Sequence, residues 1–599
     1  MPQQIRRSQF VFTYGPGAIL EGPNGPRIIL RPDLGLFRKD SLRPEEYEIY
    51  DQRMSQGALK GGRIFRLPSN AELMIPDEIP VYITNPFPNW RLCVNKSAHG
   101  GNFYVLYQDD RCPVCKNESP GNTQAIRFIM ACPAGHMDDV NWYNVVHGDD
   151  TSCSHTQWFR WIEEGSSLSS IRIECPKCGA HTTLGEVYGK PLRCTGRKPE
   201  DEAPGTRPYH PGCNKKARII QRQASNLRIP ELKTLFTIPP RHTELHKLLQ
   251  IRPIQDNLIG NKPQNKEQLR VILQNLVERK RIEKSTMDEI MKHPWDEINE
   301  AINNILNPVP ASYRDLILEE FHALIEGSLK GIPPITGPKP SSPVLIEIDP
   351  NAVRKIQGPS GMVMRVTPVS KLRTVTVQKG YRRVVDTQVV PDLVDVGFDD
   401  PSDPQNRWYP GVEFIGEGIF IMADENDGWM QALTGDAARS WMEAFRRKSA
   451  YANSDYLFRD SQHKDELHPG FVWWHTLSHF LIRAVSAESG YSSASIRERV
   501  YFEGDELHFR GGVLLYATQP GTEGTLGGLI SLVPHFQEIL RIAVQNARIC
   551  SGDPLCIQNR FHIGQYNGAA CYSCSLLSET SCEHRNMWLD RNVLLEAPP

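Results

Sequence analysis

Residues 567–586 read NGAACYSCSLLSETSCEHRN. The spacing of Cys571, Cys574 and Cys582, with Cys556 upstream in SGDPLC, decides how the C-terminal region is held together. Two residues between thiolates let one tight turn aim both sulfurs at a single ion about 2.3 Å away. Two further ligands at loop distance then complete a tetrahedral zinc site. The pattern occurs twice more: Cys112-Pro-Val-Cys115 precedes Cys132 and His136 in ACPAGH, and Cys175-Pro-Lys-Cys178 precedes Cys194 and Cys213. Cys93, Cys153 and His155 compete for the fourth position of the first group, and Cys550 competes with Cys556 in the third.

A single CxxC fits a redox pair equally well. Three of them, each with a second pair nearby and no βαβ context, favour zinc. In a reducing compartment, closely spaced cysteines are more often metal ligands than disulfides. The reading is about three Zn2+ per chain. With four protein ligands each, these sites are structural, because a catalytic zinc keeps an open position.

A chain of 599 residues exceeds what one hydrophobic core serves and predicts several domains. Charge is nearly balanced, at -2, which does not exclude nucleic acid, since binding depends on where basic residues cluster. MPQQIRRSQFVFTYGPG lacks the apolar core of a secretory signal, and FVWWHTLSHFLIRAVSA is too short and polar for a bilayer. These readings place the protein in the cytoplasm.

The expected fold class is α+β, in several zinc-stabilised, loop-rich modules. Residues 1–95 form a β-rich region, with short strands in QFVFTYGPGAILE and PVYITNPF, and 96–232 a region with two zinc sites. Helical periodicity in NKEQLRVILQNLVERKRIEKSTMDEIMKH and ASYRDLILEEFHALIEG, followed by the linker GIPPITGPKPSSP, defines 233–342. A β-rich middle region spans 343–450. The last region, 451–599, begins with a helix around HTLSHFLIRAVSA, passes through VYFEGDELHFRGGVLLYAT and a further helix near HFQEILRIAVQNA, and ends in the cysteine cluster.

Other signals are weaker. His475 and His479 share one helix face, yet Thr476 stands where a zinc protease needs Glu. YATQPGTEGTLGGLISL lacks the GK[ST] ending of a phosphate loop. Basic residues crowd the second cysteine group: Arg193, Arg197 and Lys198 flank Cys194, and Lys215, Lys216 and Arg218 follow Cys213. Such an edge suits phosphates, with Tyr209 or Trp158 to stack on bases.

Five stretches resemble the MrfA-like zinc-binding domain that accompanies superfamily-two helicases: HTLSHFLI (475–482), GYSSASIRERVY (490–501), GTLGGL (524–529), DPLC (553–556) and NGAACYSCSLLSETSCEHRNMWLDR (567–591). With RRSQFVFTYGPGAIL, ACPAGHMDD and RQASNLRIP, the whole layout resembles the DrmB family of helicase partners from bacterial DISARM anti-phage systems. That resemblance implies a non-catalytic subunit bound to a DrmA-type helicase, helping it act on single-stranded or junction-containing DNA. It also implies that Cys556, Cys571, Cys574 and Cys582 hold zinc. Two rivals are an autonomous DNA-binding zinc protein and a zinc-dependent hydrolase or nuclease using His475 and His479.

Overall fold

Two long antiparallel strands, Val363–Arg382 and Arg407–Ala423, form the spine of the molecule. The sheet continues to Ile229–Phe236 on one side, and to Phe509–Gln519 and then Ile496–Gly504 on the other. The spine strands are buried or half-buried almost without a break, as in a sheet covered on both faces. Alternation assigns the faces. Ile419, Ile421, Val513 and Leu515 pack toward the helix Pro469–Ser489. Phe420, Met422, Leu514 and Tyr516 pack toward the helix Tyr313–Lys330.

The structure, a computed structural model, describes residues 3–23, 25–36, 43–116, 120–148, 152–238, 244–249, 251–306, 312–333, 346–385, 389–399, 406–424, 433–447, 465–506, 508–519, 528–562 and 564–599. Most of the expected Pro/Gly linker and residues 524–527 of GTLGGL lie outside them. The mixed helix and sheet architecture is the expected α+β class. Among the described residues no helix is long and apolar enough to cross a membrane.

The helix Pro469–Ser489 is buried on every side over residues 469–482, the signature of a helix inside a core rather than on it. Phe536–Ala547 and Arg591–Glu596 cover its far side. Trp473 Nε1 donates to the Ala597 carbonyl at 2.7 Å, which ties the chain end to this helix.

Near the N-terminus, QFVF is not the expected strand. Arg7–Phe12 is a helix, and the first strand is Ile19–Gly22. The Arg6 N–H donates to the Gln9 side chain at 2.9 Å, closing the first turn. Phe10 and Val11 enter two different apolar clusters, the latter with Val412 and Phe414. Tertiary packing thus overrides local strand propensity.

Strands also run across the positions where composition changes. Arg63–Phe65 pairs in parallel with Arg407–Ala423, so the N-terminal region extends the central sheet. Arg91–Cys93 belongs to a six-stranded sheet with Tyr104–Tyr107 and Trp158–Glu163. The helices between 244 and 306 share their own core, built on Leu245, Leu249, Leu269, Leu273 and Ile298. Tyr313–Lys330 instead covers the central sheet.

Arg383 locks these parts together. Its guanidinium is fully buried and donates to the carbonyls of Gly135 at 2.9 Å, Leu227 at 3.2 Å and Gly17 at 3.4 Å, with Glu200 at 3.4 Å as its counter-charge. Removing one partner of a buried pair strands the other. We expect Arg383→Met to cost roughly 3–5 kcal/mol in denaturant unfolding; a loss under about 1 kcal/mol would contradict this role.

Candidate metal centres

The two CxxC turns before residue 200 close alike. The Lys116 N–H reaches the Cys112 carbonyl at 2.9 Å, and the Gly179 N–H reaches that of Cys175 at 3.0 Å. Both following residues are left-handed, with φ 55 for Lys116 and 78 for Gly179, a conformation that suits glycine. A third turn is a hairpin end. Cys132 leaves the strand Phe128–Ala131 and His136 precedes Met137–Asp138, with Gly135 at φ 85 between them. Phe128–Ala131 pairs with Lys216–Gln221, which in turn pairs with Leu192–Arg193. That pairing delivers Cys213 and Cys194 to the same point.

Four cysteine-rich tetrads result, each with all donor atoms within 4.8 Å of one another: Cys93, His99, Cys112 and Cys115; Cys132, His136, Cys194 and Cys213; His147, Cys153, Cys175 and Cys178; and Cys550, Cys556, Cys571 and Cys574. None of these thiols is in a disulfide. Zinc bonds of about 2.3 Å to sulfur and 2.0–2.1 Å to nitrogen imply tetrahedron edges of about 3.8 Å between sulfurs and about 3.5 Å between sulfur and nitrogen. Cys93–Cys115, Cys556–Cys574 and Cys571–Cys574 stand at 3.7 Å and Cys153–Cys175 at 3.9 Å. Sulfur–imidazole distances are 3.6 Å for Cys112–His99, 3.4 Å for Cys132–His136 and 3.4 Å for Cys178–His147. The donor sets fit Zn2+, and the expected cofactor stands.

The partition and the number differ from the sequence reading. Cys112 and Cys115 do not meet Cys132 and His136. They take Cys93 and His99, because Arg91–Cys93 lies beside Tyr104–Tyr107. Cys175 and Cys178 take His147 and Cys153, leaving Cys194 and Cys213 to Cys132 and His136. What read as two groups is therefore three among the described residues, so four cysteine-rich tetrads stand where three were expected. The donors from His147 to Cys178 sit in sequence between His136 and Cys194, one centre nested inside another. At the C-terminus Cys550 and Cys556 are both donors, and Cys582 lies elsewhere, with His475. His155 is in no tetrad; its Nε2 is 2.8 Å from the Trp158 carbonyl. Sequence reasoning missed His99 and His147. Each has a cysteine six residues away, Cys93 before one and Cys153 after the other, a spacing that offered a signal.

Backbone N–H groups face several sulfurs: Gly196 to Cys194 and Lys215 to Cys213 at 3.4 Å, and Gly552 to Cys550 at 3.2 Å. Such donors favour the thiolate a metal requires. The Cys194 thiol, helped by His136, holds Cys132 down to about 4 against the upward push of burial. Burial likewise pushes Cys571 up, yet hydrogen bonding with Cys550 and Cys574 outweighs it and holds the thiol at about 7.

The basic edge is smaller than its composition suggested. Arg197 is buried, clamped by Glu202 at 2.7 Å and Asp138 at 2.7 Å, and is corrected from phosphate contact to internal tie. Lys215 is paired with Asp392 at 2.7 Å, and Arg218 donates to the Gly189 carbonyl at 3.0 Å. Lys198 is half-buried, whereas Arg193 and Lys216 are exposed and directly opposed across their strand pair. Tyr209 is exposed too. His475 and His479 are fully buried, which leaves neither ring a surface on which to meet a substrate.

We expect Cys574→Ser to lower the zinc content and to destabilise the C-terminal region by several kcal/mol, since structural zinc contributes roughly 10 kcal/mol or more. Metal analysis with thermal unfolding checks this; unchanged zinc and melting temperature would refute it. Acidification protonates thiolates, so zinc should stay bound at pH 7 and be released as pH falls toward about 4, read with a chromogenic chelator.

Residues 6–229 match the domain of unknown function DUF8724, and residues 477–575 match the MrfA Zn-binding domain. The DISARM protein DrmB of Bacillus paralicheniformis is 26% identical over 585 residues, covering 92% of this chain and 94% of that protein. A solved structure of the DUF1998 helicase MrfA bound to DNA aligns with 36% of this chain and 21% of its own, at 11% identity and a TM-score of 0.18. That last overlap is too slight to inform the fold. The chain is thus similar over nearly its whole length to the DISARM protein DrmB, and its C-terminal part matches the MrfA Zn-binding domain.

Proposed function

We propose that this chain is a zinc-stapled accessory subunit that associates with a DrmA-type helicase and helps it bind and act on DNA during anti-phage defence. The observation that carries the reading is the donor count. Each cysteine-rich tetrad supplies four protein ligands, so a bound ion keeps no open position for water or substrate. Its similarity to a DISARM protein over nearly the full length of both chains supports the biological setting. In this reading the ions stiffen loop-rich surfaces, the partner hydrolyses ATP, and this chain provides docking area and part of a DNA path.

The DNA-facing candidate is the strand pair Leu192–Arg193 and Lys216–Gln221, where Arg193 and Lys216 are adjacent and exposed. Each phosphate contact contributes about 0.9 to the slope of log affinity against log salt. Replacing both residues by alanine should weaken binding across sequences and lower that slope by roughly 2. Unchanged binding would move the DNA path elsewhere. Arg197 belongs to the fold in this scheme, so Arg197→Ala should show as instability rather than a changed salt slope.

Co-expression with the helicase followed by size-exclusion chromatography tests the central claim. One shared peak is expected; two separate peaks at micromolar concentration would remove it.

A further inference from the structure

We infer that His475, Glu498, Cys582 and His584 form a fifth metal centre of mixed donors, built for a divalent cation of the zinc type. The four come from three separate parts of the chain. His475 lies on Pro469–Ser489, Glu498 on Ile496–Gly504, and Cys582 and His584 on the segment leading to Arg591–Glu596. Their donor atoms all lie within 4.8 Å of one another. His475 Nε2 is 3.2 Å from Cys582 Sγ and 2.8 Å from Glu498 Oε1. The chain has 14 cysteines, and the other tetrads use every one except Cys582. The remaining thiol thus sits among two imidazoles and a carboxylate rather than alone in the core.

Charge sets this cluster apart. A divalent ion leaves a three-thiolate, one-histidine site at -1 and a four-thiolate site at -2. One thiolate and one carboxylate cancel it. That suits a buried position: His475 and Glu498 have 0% exposure and Cys582 has 4%, while His584 is half-buried. The surroundings orient the donors as outer partners of a metal site do. Ser478 donates its hydroxyl to Glu498 Oε2, and the Asn586 N–H donates to Cys582 Sγ at 3.2 Å. His479 Nδ1 donates to the Ser575 carbonyl at 2.6 Å, leaving Nε2 directed at Glu498 Oε1 at 3.2 Å. Four protein donors close the site, so the ion is a staple joining the C-terminal segment to the buried helix and the sheet. Cys582 and His584 fall beyond residue 575, where the MrfA Zn-binding domain match ends.

The competing arrangement is a metal-free network in which protons bridge Glu498 to the two histidines. Native mass spectrometry of the tag-free full-length chain separates the two. Five divalent ions per chain are expected, whereas a fully loaded chain with four overturns the proposal. Glu498→Gln, which keeps the side-chain volume, and Cys582→Ser should each bring the count from five to four with the other centres retained; an unchanged count of five would place the extra ion elsewhere and overturn it. Should either variant fail to fold, anomalous scattering at the zinc edge from wild-type crystals decides. A peak among the four residues supports the centre, and four peaks at the cysteine-rich tetrads with none here refutes it.

Discussion

Tetrahedral coordination is the constraint on which this molecule depends. Between residues 91 and 221 the strands are two to six residues long and the turns many, so few ladder hydrogen bonds tie each strand to its neighbour. Thiolates and imidazoles from distant strands converge instead on points a few ångströms across. The apolar side chains that remain, such as Trp142, Trp161 and Phe159, pack between these points. Where donor charge accumulates, the fold supplies compensation. Beside the four-cysteine tetrad, Arg591 is fully buried, lies within electrostatic reach of Cys556 and Cys574, and is anchored to Asp553 at 2.6 Å.

The central sheet is the second organising element, and buried arginines connect it to everything else. Arg499, on Ile496–Gly504, reaches Glu320 at 2.7 Å on the covering helix, Glu583 at 2.8 Å in the C-terminal segment and the Thr234 carbonyl at 2.9 Å on the opposite edge strand. Arg373 spans Glu413 and Thr237 in the same way. Each guanidinium offers five donors in a fixed plane, enough to satisfy carbonyls and carboxylates from three chain segments at once.

What could be read from the sequence was local. The CxxC turns and the apolar helix at 469–489 follow from spacing and periodicity within a few turns of chain. The assignment of donors to centres was not legible, because it depends on Phe128–Ala131 pairing with Lys216–Gln221, almost ninety residues apart. His99 and His147 were overlooked for a related reason: a lone histidine carries no local sign of which sulfur it will face. Arg197 misled in the opposite direction. Its neighbours in sequence are basic, while the acids that bury it, Asp138 and Glu202, become its neighbours only on folding.

The nesting of one donor set inside another has a consequence for assembly. A centre built from residues 147–178 shortens the effective loop separating His136 from Cys194, and each halving of such a loop relieves about 0.6 kcal/mol of closure entropy. The inner site therefore gains its ion on local terms, and the outer one inherits a chain already drawn together. Nesting thereby couples the two centres: the entropy that the outer ring must overcome depends on whether the inner knot is already tied.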